Sequence, residues 1–362
     1  MTNSPNQTSA ISEDSIEQVD AIVIGAGVTG LYAIYRLREL GLTVQAFEDA
    51  SGVGGTWFWN RYPGCRFDSE SYTYGYSFSE ELLQEWDWKE YYSGQPENER
   101  YLNYVADKFN LRPHIRLNSR VISATFDQTD NKWEVLLQDG HKARGQFLIT
   151  AIGILSAGYV PDFEGIHSFK GEWCHTGRWP ADGMDLAGKR VGVIGTGASG
   201  VQLITEIAKE VGTLTVFQRT ANYCAPLRNG PIDDNTQRQI KANYPEIFKQ
   251  CSETAGSFIH KFDPRSAMEV SAEERMEQYE KLWAEPGFKK WLSNFYDVMI
   301  PGEANEDYAA FVRNKIRERV NDPAVAEMLT PKDHMFGSKR LPCESGYYEV
   351  FNQANVLLSL IH

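Results

Sequence analysis

The sequence is poor in cysteine, carries more acid than base and has no long apolar stretch. Its five cysteines (Cys65, Cys174, Cys224, Cys251 and Cys343) sit far apart with no CxxC or CxxxxC spacing. This excludes a disulfide framework, a cysteine zinc site and a dithiol redox pair, so no metal is expected. Lys and Arg total 36 against 49 Asp and Glu, for a net charge of −13, and no stretch gathers enough base to form a local patch. A nucleic-acid partner is therefore not expected. The longest nearly apolar run, residues 147–155, falls well short of the roughly 20 residues that cross a bilayer, so no membrane partner is expected either. Residues 1–19 are polar and acidic, with no basic start followed by an apolar core, and read as a flexible tail rather than a secretory signal. Scattered thiols and no leader point to the cytoplasm.

What is present is ample apolar material, 42% of 362 residues, enough for two domains or one large α/β body. Residues 21–24 form an apolar run that ends in Gly25-Ala26-Gly27-Val28-Thr29-Gly30. Leu31, Ile34, Tyr35 and Leu37 then recur at helical spacing, and residues 43–48 read as a second strand ending on Glu48. Strand, glycine turn, helix and acid-ended strand make up a dinucleotide-binding unit. In it Gly25 permits the turn, Gly27 lets backbone approach a pyrophosphate, Gly30 allows helix and strand to pack, and Glu48 accepts a ribose hydroxyl.

The pattern returns at Gly195-Thr196-Gly197-Ala198-Ser199-Gly200, between an apolar strand and a helix-like stretch over 201–210. Its second strand, 213–217, is followed by Gln218, Arg219 and Thr220 and by no acid. A 2′-phosphate is repelled by carboxylate and favours Arg with a hydroxyl donor, so the second site leans to NADP. Two sites of different selectivity suggest FAD in the first and NADPH as hydride donor in the second. Between them, a helical stretch near 100–109 precedes strand-like runs at 121–126, 133–137 and 147–152, which fit an antiparallel meander. Beyond Pro231 the pattern becomes helical and charged, notably at 271–282 and 307–320. The fold expected is α/β, with two Rossmann-like dinucleotide-binding domains, a small antiparallel β meander and a helical insertion.

Just ahead of the second glycine motif, Phe169, Gly171, His175, Trp179 and Pro180 occupy every fixed position of the pattern FxGxxxHxxxWP. With the paired glycine motifs, this resembles the Baeyer-Villiger monooxygenases. Residues 54–68 resemble that family's flavin-wrapping loop, and Phe336-Gly337-Ser338-Lys339-Arg340 resembles its arginine segment. The resemblance implies reduction of FAD by NADPH, addition of O2 at the flavin C4a position and attack of the peroxide on a ketone to give an ester or lactone. Arg340 would be the catalytic cation, with Asp68 pairing with it. Gly55, Thr56, Trp57, Phe58, Trp59, Phe67, Asp68 and Tyr74 would surround the flavin, and Lys339 would join Arg219 and Thr220 at the 2′-phosphate. His175 would have a structural or hinge role. One departure is Ala151-Ile152-Gly153 in place of Ala-Thr-Gly, where the turn is expected to survive the loss of a hydroxyl.

The layout this implies is a tail at 1–19, a first part of the FAD-binding domain at 20–165, a linker at 166–186, an NADP-binding domain at 187–332 with an insertion at 232–330, and a return to the FAD domain at 333–362. The apolar terminus at 357–361 reads as a strand cut off from its sheet partner, as in a shortened chain. Two further readings stay open: a related flavin oxygenase acting on amines or sulfides, which the Trp179-Pro180 ending and the Lys339-Arg340 pair disfavour, and an inactive nucleotide-binding remnant.

Overall fold

The computed structural model describes residues 16–254 and 256–361. Residues 1–15 of the expected tail lie outside the described residues. Glu17, Gln18 and Val19, also assigned to the tail, instead belong to strand β1 (Glu17–Ile24), since they pair with Ala143, Arg144 and Gly145. Pairing with a longer neighbour extends a strand past its apolar core, a signal that side-chain pattern does not carry.

The chain forms two compact units, one from the residues up to Arg61 with Pro96–Trp179, the other from Tyr62–Gln95 with Pro180 onward. In the first unit β1 lies between β2 (Val44–Phe47) and a longer strand, β6 (Lys142–Thr150). The sheet is completed by β3 (Ile115–Arg116), β4 (Val121–Asp127) and β5 (Lys132–Leu137), in the order β3-β2-β1-β6-β5-β4. The pairs β1–β2, β2–β3 and β1–β6 are parallel. β5 runs antiparallel to both β4 and β6, which is the meander read from the sequence. Ile22, Phe47, Val135, Leu137 and Ala143 form its core. The helix Val28–Glu39 makes the crossover from β1 to β2 and buries Gly30, Leu31 and Ile34. Gly30 touches the turn so closely that a Cβ there would fall on the carbonyl oxygen of Gly25, and this contact sets how near helix and strand can lie.

The second unit holds a parallel sheet of β7 (Arg190–Ile194), β8 (Thr213–Gln218) and a terminal strand, with the helix Ala198–Ile207 as crossover. Two short strands, β9 (Ala225–Pro226) and β10 (Cys343–Glu344), pair in parallel beside it. The terminal strand, β11 (Val356–Leu360), corrects the expectation of an unpartnered end returning to the first nucleotide-binding part. It runs parallel to β8, from Val356 opposite Leu214 to Leu360 opposite Gln218. Asn355 fixes the register by donating its amide hydrogens to the carbonyls of Ala208 and Val211, both at 3.1 Å. The 232–330 interval is helical, with Asp234–Ser252, Ala272–Ala284, Glu303–Arg317 and Pro323–Leu329 as its main helices. The side chains of Asp233, Ser271 and Asp322 cap three of them by accepting backbone N–H groups. No helix among the described residues is long and apolar enough to cross a membrane.

Gly30→Ala is expected to destabilise the chain by about 1–3 kcal/mol, because neither backbone can yield. Gly230→Ala, which meets nothing within 4 Å among the described residues, is expected to leave stability nearly unchanged. Urea unfolding midpoints compare the two directly.

Candidate functional site

In the first unit the glycine turn meets other backbone on two sides. A Cβ on Gly25 would lie 2.5 Å from the carbonyl oxygen of Ala151, so the turn at Ala151-Ile152-Gly153 keeps its close approach despite the missing hydroxyl. A Cβ on Gly27 would lie 3.3 Å from the Gly55 Cα, and one on Gly55, whose φ is +54°, would lie 2.8 Å from the Gly27 Cα. Two glycines face each other where no side chain fits. Glu48 is buried at the end of β2 and accepts hydrogen bonds from the Ala26 N–H at 2.6 Å and the Ala50 N–H at 2.8 Å. It thereby ties the strand end to the glycine turn, and each carboxylate oxygen keeps a lone pair for a further donor.

Thr56–Trp59 is a single helical turn following Gly55, with Trp57 buried and Phe58 and Trp59 meeting edge to face at 5.1 Å. Arg61 stacks over Phe58 at 4.4 Å and Arg178 over Trp59 at 4.1 Å. His175 Nδ1 accepts the Gly177 N–H at 3.1 Å and caps the short turn Thr176–Arg178. The signature histidine here has a structural bond.

In the second unit the corresponding turn is open. Gly195, at φ +101°, and Gly197 have nothing among the described residues within 4 Å of where a Cβ would stand, whereas a Cβ on Gly200 would collide with the Gly195 carbonyl oxygen. Thr196 Oγ1 donates to the Thr220 carbonyl at 3.0 Å and closes the turn against the end of β8. Ala198 and Ser199 begin the crossover helix, whose first N–H groups have no partner within it and, with the helix dipole, favour an anion. Space therefore stands open beside Gly195 and Gly197 at the start of this helix. Arg219 is exposed just past β8 and Thr220 is half-buried. Lys339 is exposed on a loop of the same unit.

Asp68 and Arg340 meet in this unit. The Arg340 guanidinium donates to Asp68 Oδ2 at 2.9 Å, and the Cys343 N–H donates to the same oxygen at 3.3 Å. The Asp68 side chain is 1% exposed and that of Arg340 62%, so a buried anion anchors a cation that reaches out of the fold. Burial pushes the Asp68 carboxyl pKa up, and the guanidinium opposes that shift. Asp68 Oδ1 has no hydrogen-bond partner among the described residues. Both residues line a cavity of about 500 Å³ with Phe67, Phe258, Trp291 and Met299. Phe67 stacks on Tyr74 at 4.5 Å.

The segment carrying Asp68 is clasped to the crossover helix by Gln202, which sequence reasoning missed. The Tyr62 hydroxyl donates to Gln202 Oε1 at 2.8 Å, and Gln202 Nε2 donates to the Arg66 carbonyl at 3.0 Å. Gly64, at φ +80°, lets the segment press on this helix, since a Cβ would lie 2.9 Å from the Gln202 carbonyl oxygen. An amide two residues past a glycine motif carries no pattern that announces such a role. Of the expected flavin-contact residues, those from Gly25 to Trp59 lie in the first unit, and Phe67, Asp68 and Tyr74 in the second. No group of three His, Cys, Asp or Glu among the described residues could hold a metal.

Residues 18–229 match the model of the flavin-binding monooxygenase-like family. Over 346 residues the chain is 47% identical to the 2-oxo-Δ3-4,5,5-trimethylcyclopentenylacetyl-CoA monooxygenase of Pseudomonas putida, covering 94% of this chain and 64% of that protein. Among solved structures, an oxidized steroid monooxygenase bound to NADP is similar at 51% identity and a TM-score of 0.91, over 94% of this chain and 65% of that one. A complex of OTEMO with FAD and NADP is similar at 47% identity and a TM-score of 0.92, over 95% and 66%. The chain spans less than two thirds of the length of the curated relatives it first matches. With its paired dinucleotide turns and the family match over more than half its length, the chain belongs to the flavin-binding monooxygenase-like family.

Proposed function

We propose that the chain is a Baeyer-Villiger monooxygenase, which uses NADPH and FAD to insert one oxygen atom of O2 beside a ketone carbonyl and so form an ester or lactone. The observation that carries this reading is the Arg340–Asp68 pair on the wall of an aromatic-lined cavity, in the unit that holds the open dinucleotide turn. The similar monooxygenases, one of them solved in complex with FAD and NADP, support it.

In this reading the first unit is the flavin-binding part. Gly25, Gly27 and Gly30 take the FAD pyrophosphate and Glu48 the ribose, while Gly55, Thr56, Trp57, Phe58 and Trp59 line the flavin. The second unit is the NADP-binding domain, with the helices of 232–330 inserted. Gly195, Thr196, Gly197, Ala198, Ser199 and Gly200 hold its pyrophosphate. Arg219, Thr220 and Lys339 hold the 2′-phosphate, for which two exposed cations and a hydroxyl are the complementary donors. The flavin, once reduced by NADPH, supplies the activated oxygen.

Arg340 does the electrostatic work. A guanidinium stays protonated at any working pH, so it can hold an anionic oxidant and then the negative charge that grows on the former carbonyl oxygen. Asp68 is a positioning residue: buried, it fixes one edge of the guanidinium and leaves the other donors free for the reacting atoms. The apolar walls of Phe67, Phe258, Trp291 and Met299 suit a ketone with a hydrocarbon frame. The scattered thiols and the need for NADPH support a cytoplasmic setting for this reading.

The test is ketone-dependent NADPH oxidation by the flavin-loaded chain under ¹⁸O2, with one labelled atom expected in an ester or lactone. Oxidation that yields only hydrogen peroxide over a broad ketone panel would overturn the reading, as would transfer confined to amines and sulfides. Arg340→Ala is expected to lower ester formation by about 10²–10³-fold, the usual cost of losing one such donor. In the same variant the Asp68 carboxyl loses the cation that holds its pKa down, so it should titrate at higher pH than in the parent. Carboxyl ¹³C shifts, assigned with Asp68→Asn, read this without turnover. Arg219→Ala is expected to weaken NADP binding by roughly 10- to 150-fold, the worth of a hydrogen bond to a charged group, and to spare NAD binding. Titration calorimetry measures both.

A further inference from the structure

The loop bearing Lys339 and Arg340 is exposed at its crest but rooted in the helical interval through a side chain that no motif singles out. Asn305, in the helix Glu303–Arg317, is 3% exposed and donates both amide hydrogens, to the Val298 carbonyl at 2.7 Å and the Phe336 carbonyl at 2.9 Å. Phe336 is 1% exposed, and its ring meets Tyr308 edge-on at 4.9 Å and Tyr223 at 5.4 Å. The chain then turns at Gly337, φ +82°, where a Cβ would lie 2.6 Å from the Met299 Cε. Met299 directly follows the other residue that Asn305 holds. Past the turn Ser338, Lys339 and Arg340 are exposed. The far end of the loop is buried again at Cys343, whose N–H is on Asp68.

We propose that Asn305 is a positioning residue for Arg340: it pins the root of the 337–340 loop to the 298–299 turn, so that the guanidinium is presented to Asp68 and the cavity from a fixed base. The inference rests on the reading that Arg340 serves the reaction. A primary amide suits this task because one nitrogen carries two hydrogens for two carbonyls. Alanine would leave both buried carbonyls without a partner, and aspartate would set a third acceptor against them. With the root released, the crest can open without unfolding of the rest, since loops open locally at far less cost than the fold as a whole.

Trypsin reads this opening, because it cleaves after Lys339 and Arg340 only when the loop leaves its folded path. Asn305→Ala and Asn305→Asp are compared with the parent and with Asn355→Ala, which removes an amide of the same two-carbonyl chemistry from the carbonyls of Ala208 and Val211. Cleavage at the two loop bonds, followed by mass spectrometry under native conditions, should run at least about tenfold faster in the Asn305 variants, as expected for local opening. Asn355→Ala should lower the urea midpoint without that acceleration. The proposal is overturned if the Asn305 variants lose stability but cleave at the parental rate, or if Asn355→Ala accelerates the same two cuts equally. Should Asn305→Asp fail to fold, Asn305→Ala carries the comparison. Faster loop cleavage in a chain whose parent shows no ketone-dependent turnover would uphold the role of Asn305 in the loop and reject the assigned reaction.

Discussion

A carboxylate buried to 1% exposure must find a cation or give up its charge, and Asp68 finds one 272 residues away in Arg340. Much of the second unit follows from that requirement. The Tyr62–Gln95 stretch leaves its sequence neighbours and folds with the residues from Pro180 onward, which lets Asp68 stand below the arginine loop. Gln202 and the bare Gly64 hold it there. Because one Asp68 oxygen has no hydrogen-bond partner among the described residues, the Arg340 guanidinium and one backbone N–H carry most of the compensation for its burial.

The helical interval takes its meaning from the same pair. Phe258, Trp291 and Met299 supply apolar wall to the cavity in which Arg340 stands, and Asn305 reaches from a long helix to the carbonyl at the root of the arginine loop. A stretch that reads as an insertion by composition is thus the frame on which the exposed cation is mounted. Aromatic packing among Tyr279, Tyr308, Phe311 and Phe336 gives that frame its stiffness.

What could be read from the sequence was what is local. Both dinucleotide turns were legible because strand, glycines, helix and the residue ending the next strand lie within about two dozen positions, where steric needs write directly into residue choice. Glu48, whose carboxylate the structure ties to the glycine turn, was legible by the same proximity. The meander was legible by period. The partner of β11 was not, since strand pairing across the chain leaves no mark in either strand alone. The early start of β1 failed for the same reason. Asp68 and Arg340 were joined through a family resemblance and not through spacing, and Gln202 and Asn305 not at all, because a buried amide is defined by the carbonyls it meets and these come from elsewhere in the chain.

The scattered cysteines acquire a different sense once their surroundings are known. Burial pushes Cys65 up to about 11 and raises Cys174, Cys224, Cys251 and Cys343 as well. At neutral pH a thiol like Cys65 is ionised in only ~1 molecule in 10⁴, and the thiolate is the form that peroxide attacks. In the proposed reaction, oxygen chemistry beside a reduced cofactor would shed peroxide whenever transfer misfires. Four of the five sulfurs, those of Cys65, Cys224, Cys251 and Cys343, are buried out of reach of such peroxide, and the half-buried Cys174 is the one left open to it.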